Sequence, residues 1–147
     1  MPAVKDIMTK SVITIGADDT VFEVAELMNA HSIGCLVVVQ DEAPVGIVTE
    51  RDIVRRVVAK RMPYDAKVSE IMSKNLVTAD PDESVKEAAR IMSSNKIRRL
   101  PIVKDGKLIG ILVASDLVRH VGKKSISEEI LEAMGRYPMG PWVGAPQ

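Results

Sequence analysis

The chain has 147 residues, 46% of them hydrophobic, and its 20 Lys and Arg balance 20 Asp and Glu to a formal net charge of zero. That length suits one compact body with a working core, and the neutral balance argues against nucleic acid or an acidic membrane as a partner drawn in by charge. A lone cysteine, Cys35, excludes an internal disulfide, no apolar run is long enough to span a bilayer, and the N-terminus lacks a signal-like core, so the expected compartment is reducing cytoplasm. In chain order, residues 12–15 read as a short strand. Asp18, Asp19 and Thr20 then open a helix over 20–30, with Val21, Val24, Ala25 and Met28 on one face. Residues 36–39 form an apolar strand, 41–44 a turn and 45–48 the return strand. A second helix runs from Glu50 to about Lys60 with Ile53, Val54, Val57 and Val58 inward, and Pro63 ends it in a linker over 61–65.

The next stretch repeats the first. Shifted by 64 positions, residues 4–57 lie on 68–121 without a gap, and about 20 of roughly 54 pairs are identical. Pro81 to Ser84 opens a helix with Val85, Ala88, Ala89 and Met92 inward. Residues 100–103 and 108–113 are strands around an Asp105-Gly106 hairpin turn, where glycine tolerates positive φ, and residues 116–121 are helical. Each copy is thus a β-α-β-β-α unit that cannot bury its apolar face alone, so two copies are expected to pack together, with a ligand where they meet. The expected division is 1–62, 63–124 and a tail over 125–147. In the tail, Ser125 and Glu128 form a capping-box pattern, and Trp142 lies either in a frayed end or in an arm that docks on a partner.

Gly46 to Ile53 (Gly-Ile-Val-Thr-Glu-Arg-Asp-Ile) closes the first copy and Gly110 to Leu117 (Gly-Ile-Leu-Val-Ala-Ser-Asp-Leu) the second. Ile7-Met8 and Ile71-Met72 open them, and Ile97 to Val103 precedes the second closing motif. Two such motifs in register resemble a tandem pair of CBS domains, the Bateman module, over about residues 4–122. The resemblance implies an α/β fold of tandem CBS motifs related by pseudo-two-fold symmetry, further association into a homodimer through helix faces around Val54, Val57, Val118 and Val121, and a regulatory rather than enzymatic role.

Read from the residues, Thr49 with Asp52 three positions on is a helix cap; the same carboxylate can also accept hydrogen bonds from a vicinal diol. The resemblance favours a ribose. It implies an adenosine site built from Ile47, Thr49, Arg51 and Asp52 with Val77, Thr78, Ala79, Ile97, Arg98, Arg99 and Pro101: adenine among the aliphatic side chains, phosphate on the arginines. Arg98-Arg99 alternatively reads as a solvated pair, and Lys96 is a weaker phosphate candidate. The related second site, Thr14, Ile33, Ile111 and Asp116, has Val113 in place of Thr49 and Gly34 and Cys35 in place of the arginines, so it is expected to be the weaker. AMP is the first expected ligand, ADP and ATP next. S-adenosylmethionine is the rival, and a purely structural or interaction module the alternative from another class. A further, unidentified protein effector is expected to receive the signal. His31, His120 and Cys35 suggest neither a catalytic arrangement nor metal spacing, and no cofactor is expected.

Overall fold

A computed structural model describes residues 2–121, which run α1 (Val4–Ile7), β1 (Thr14–Gly16), α2 (Val21–His31), β2 (Cys35–Gln40), β3 (Ala43–Thr49), α3 (Glu50–Asp52), α4 (Val85–Asn95), β4 (Arg99–Lys104), β5 (Lys107–Val113) and α5 (Ala114–Val121). A π-helical turn, Ile53–Val58, continues α3, and a 3-10 turn, Val68–Glu70, precedes α4. Ser125, Glu128 and Trp142 lie outside the described residues.

The long helices start where hydroxyl side chains cap them. Thr20 accepts the Glu23 N–H at 3.2 Å and Ser84 that of Glu87 at 3.0 Å, which satisfies donors with no partner inside the helix. Both helices end on a left-handed residue, Ser32 and Lys96, at equivalent repeat positions. The apolar faces bury Val21, Val24 and Met28 in one copy and Val85, Ala88, Ala89 and Met92 in the other.

β1 runs parallel to β2 (Ile15 beside Val38), and β2 is antiparallel to β3 (Cys35 beside Thr49, Val37 beside Ile47). In the second copy β4 and β5 form a two-stranded sheet, and the expected first strand is reduced to one parallel bridge, Ala79 with Ile102. Proline explains the loss. Ala17 N–H bonds the Val39 carbonyl at 3.2 Å in the first copy, but its counterpart is Pro81 and that of Val37 is Pro101, and neither has an N–H to give.

The compact units do not coincide with the sequence repeats. Among the described residues, one contains those up to Lys10, Val77–Lys104 and those from Ile109; the other contains Ser11–Leu76 and the hairpin tip Asp105–Leu108. The segment leading into each copy therefore packs on the opposite copy. Val4 N–H bonds the Glu83 carbonyl and Val85 N–H that of Pro2, while Val68 N–H bonds the Asp19 carbonyl and Val21 N–H that of Ala66. Thr9 exchanges two main-chain bonds with Ile111, and Ser73 exchanges two with Ile47. Each unit has its own core, around Leu100, Ile102, Leu112 and Leu117 in one and Leu36, Val38, Val48 and Ile71 in the other.

The closing-motif glycine makes that exchange possible. A Cβ on Gly46 would meet the Ser73 carbonyl oxygen and Met72 sulfur at 2.7 Å, and one on Gly110 would crowd Met8 and Thr9 in the same way. The hairpin glycine acts differently: Gly106 has φ +78 and open space around it.

Four residues expected to point inward after Glu50 divide. Val57 is 2% exposed, Ile53 is half-buried, and Val54 and Val58 are each 60% exposed. The segment is π-helical, with Ala59 N–H on the Val54 carbonyl and Met62 N–H on that of Val57. Bonding five residues back widens the turn and breaks the 3.6-residue stripe. Val57 thus belongs to the core and not to an exposed association face.

Gly46→Ala is expected to destabilise the protein by about 2–3 kcal/mol, because backbone must move, and Gly106→Ala by about 1 kcal/mol, a purely conformational cost. Urea unfolding of both variants checks the order; equal losses would contradict the close approach at Gly46.

Candidate ligand-binding site

The first closing motif places its polar groups by strand and cap. β3 delivers Thr49 to the end of the sheet opposite Cys35, and the Glu50 N–H fastens to the Gly34 carbonyl at 3.0 Å. Thr49 and Asp52 then cap α3 reciprocally. Asp52 Oδ2 accepts the Thr49 N–H at 2.9 Å and its hydroxyl at 3.1 Å, and the Asp52 N–H reaches Thr49 Oγ1 at 3.3 Å. The cap read from the spacing is therefore present. The other carboxylate oxygen, Oδ1, faces Arg56 Nε at 3.6 Å, an ion-pair separation rather than a hydrogen bond. The Asp52 side chain is 15% exposed, and Arg51 is solvent-exposed.

The remaining expected residues lie in the other unit. Val77, Ile97 and Arg98 are half-buried, Thr78 and Arg99 exposed, Ala79 and Pro101 buried. Ala79 N–H bonds the Pro101 carbonyl at 3.1 Å, and the Ala114 N–H bonds the Arg98 carbonyl at 2.8 Å. The structure thus brings Arg98 to the head of the helix that carries Asp116, while Gly34 and Cys35 share a unit with Asp52. Asp116, 14% exposed, is ion-paired with Arg119.

Of the second-site residues, Thr14 borders a concavity of about 600 Å³ that Asp19, Glu23 and Glu26 make acidic, a poor setting for phosphate. Ile33 borders another of about 470 Å³ with Met28, Glu50, Ile53 and Val54. Neither includes Asp52. His31 and His120 are exposed and Cys35 is half-buried. Among the described residues no group of three metal-ligating side chains gathers, and no helix is long and apolar enough to cross a membrane. Arg56 is the site neighbour that motif reading missed; its only signal in the sequence is the i,i+4 spacing from Asp52.

The CBS domain profile matches residues 4–59 and again 68–123. The chain belongs to the CBS-domain family. The CBS domain-containing protein YhcV of Bacillus subtilis is 40% identical over 117 residues, 80% of this chain and 84% of the relative. Two solved CBS structures superpose closely. The CBS domain pair of protein MJ0100, in complex with 5′-methylthioadenosine and S-adenosyl-L-methionine, has a TM-score of 0.73 at 32% identity, covering 84% of this chain and 98% of that one. CBSX2 in complex with AMP has a TM-score of 0.71 at 28% identity, covering 82% and 96%. The tandem CBS architecture expected from the repeat is thereby established.

Because Thr49 and Asp52 share their bonds, Thr49→Val and Asp52→Ala are each expected to cost about 1 kcal/mol of stability, and the double variant little more than either. Fully additive losses in chemical unfolding would contradict the reciprocal cap in this CBS motif.

Proposed function

We propose that this CBS pair is a regulatory module that senses an adenosine nucleotide, AMP first and then ADP or ATP, through the Asp52 carboxylate. The observation that carries the reading is the state of that carboxylate. Oδ2 is held by Thr49 at the end of β3, while Oδ1 stands at ion-pair distance from Arg56, so the group is fixed in direction yet keeps acceptor capacity for a vicinal diol. MJ0100 and CBSX2 support the ligand class, since the compounds they hold share adenine and ribose. Ile47, Val77, Ile97 and Pro101 are assigned to adenine and Thr78 and Ala79 to the nucleoside. Arg98 and Arg99 are assigned to phosphate, where a guanidinium gives bidentate, charge-assisted bonds, with Arg51 as a further candidate. S-adenosylmethionine is the second reading, favoured by MJ0100; its sulfonium needs no phosphate partner. With the Arg98 carbonyl bonded at the head of α5, the same arginines are also tested against Asp116.

A second copy of the chain is the partner we assign to Val54 and Val58. They are 60% exposed and one helical turn apart, and zero net charge leaves little self-repulsion. A ligand then acts by binding one arrangement of the module more tightly than another, and a protein effector reads the result.

At about a hundred times its dissociation constant, AMP is expected to add about 2.7 kcal/mol to stability. Asp52→Ala should abolish the thermal shift, and Arg98→Ala with Arg99→Ala should reduce it by removing charged hydrogen bonds worth about 1.5–3 kcal/mol. Loss with Asp116→Ala instead moves the nucleotide to the second motif. A shift with S-adenosylmethionine alone replaces the ligand, and no shift with any adenosine compound favours the interaction-module reading. In sedimentation the parent chain is expected as a dimer and Val54→Asp as a monomer; an unchanged dimer would remove Val54 from the interface.

A further inference from the structure

We propose that Arg56 is a positioning residue for Asp52, and that it links this carboxylate to the turn over residues 71–73. Arg56 does two things at once. Its Nε stands 3.6 Å from Asp52 Oδ1, and its Nη1 donates to the Ile71 carbonyl at 2.9 Å, fifteen residues away in sequence. Ile71 is completely buried and ends the 3-10 turn Val68–Glu70. Two residues on, Ser73 exchanges main-chain bonds with Ile47 at 2.8 and 3.0 Å, and two residues beyond Ile47 stands Thr49, which grips the other oxygen of Asp52. The bonds close a ring: Asp52, Arg56, Ile71, Ser73, Ile47, Thr49 and back to Asp52.

An ordinary i,i+4 ion pair explains only the first half of this arrangement. Such a pair is worth a few tenths of a kcal/mol and needs no second acceptor. Here the forked guanidinium serves two acceptors on separate elements, which a single ammonium cannot do with the same geometry. Arg56 sits within the π-helical turn Ile53–Val58, from which its guanidinium reaches the Ile71 carbonyl. The second copy builds its carboxylate differently. The counterpart of Arg56 is His120, and Asp116 pairs with Arg119 one position earlier. This link, one ion pair and one hydrogen bond from the same guanidinium, therefore belongs to the first motif, and its consequence is directional. A donor that occupies Asp52 Oδ1 competes with Arg56 Nε, so occupancy of the carboxylate is felt at the Ser73–Ile47 bridge. That bridge fastens the lead segment of the second copy to β3.

The test is amide hydrogen exchange at Ser73, whose N–H donates to Ile47. It is read in the unliganded full chain for the parent, Asp52→Asn, Arg56→Met, Arg56→Lys and the Asp52→Asn/Arg56→Met double variant. Both single losses are expected to speed exchange by about tenfold: Arg56→Met loses the charged hydrogen bond to the Ile71 carbonyl, and Asp52→Asn, which loses only the ion pair, frees the guanidinium that makes that bond. The double variant should be no faster than either single, because the two side chains act as one unit. Arg56→Lys keeps the charge but not the fork and should behave like Arg56→Met. Additive effects, no effect, or parent-like exchange in Arg56→Lys each overturn the link and leave a plain helix ion pair. The ligand arm rests on the nucleotide reading above: saturating AMP should change Ser73 exchange in the parent and leave Arg56→Met unaffected. An equal change in both overturns the coupling. No change in either, with the unliganded cycle as expected, overturns the nucleotide reading and leaves the link standing.

Discussion

One carboxylate decides how the first motif ends. β3 must become α3 at Thr49, and the N–H groups left bare by that change need an acceptor. Asp52 supplies it with Oδ2, and Thr49 returns a hydroxyl to the Asp52 N–H. The cost of fixing the turn is carried by this local pair, so the group keeps a defined direction whether or not anything else touches it. A side chain that has already lost its rotational freedom binds with less entropy left to lose. A structural cap and a ligand acceptor are in this way compatible uses of one residue.

The second constraint is the exchange of lead segments. Each copy covers the opposite copy's closing strand with its own first ten or so residues, by main-chain bonds at Thr9–Ile111 and Ser73–Ile47. Glycine at 46 and 110 is the local requirement for that approach. The exchange makes each copy dependent on the other, which is the physical content of a repeat that cannot bury its face alone. It also sets the polar chemistry of the closing motif against a segment that belongs to the next repeat. Differences between the copies then change how each closing-motif carboxylate is held. Val113 stands where Thr49 does, and His120 where Arg56 does, so the two carboxylates, Asp52 and Asp116, are held by different partners.

Much of this was legible in the sequence where the signal is local. Thr20 and Ser84 announced α2 and α4, Asp105-Gly106 announced a hairpin, and the three-residue spacing of Thr49 and Asp52 announced the cap. What was not legible is long-range or departs from the usual period. α1 and the turn at Val68–Glu70 are too short to show periodicity; they are held by Asp6 and Glu70 accepting the N–H of Ala3 and Lys67 and by bonds to the other copy. The π-helical turn defeats a 3.6-residue reading, which is why Val54 and Val58 were expected inside and lie outside. The loss of a full first strand in the second copy was written in Pro81 and Pro101, yet only the pairing partner shows that their missing N–H groups matter. In the candidate site, the backbone bond from Ala114 to Arg98 and the reach of Arg56 to Ile71 join residues that no motif spacing connects.

The most direct measurement is a crystal structure of the full chain grown with AMP. The account predicts a ribose hydroxyl within hydrogen-bond distance of Asp52 Oδ1, with Thr49 still bonded to Oδ2. A nucleotide seated elsewhere, or an Asp52 carboxylate turned away from it, would contradict the assignment of this residue as the nucleoside acceptor.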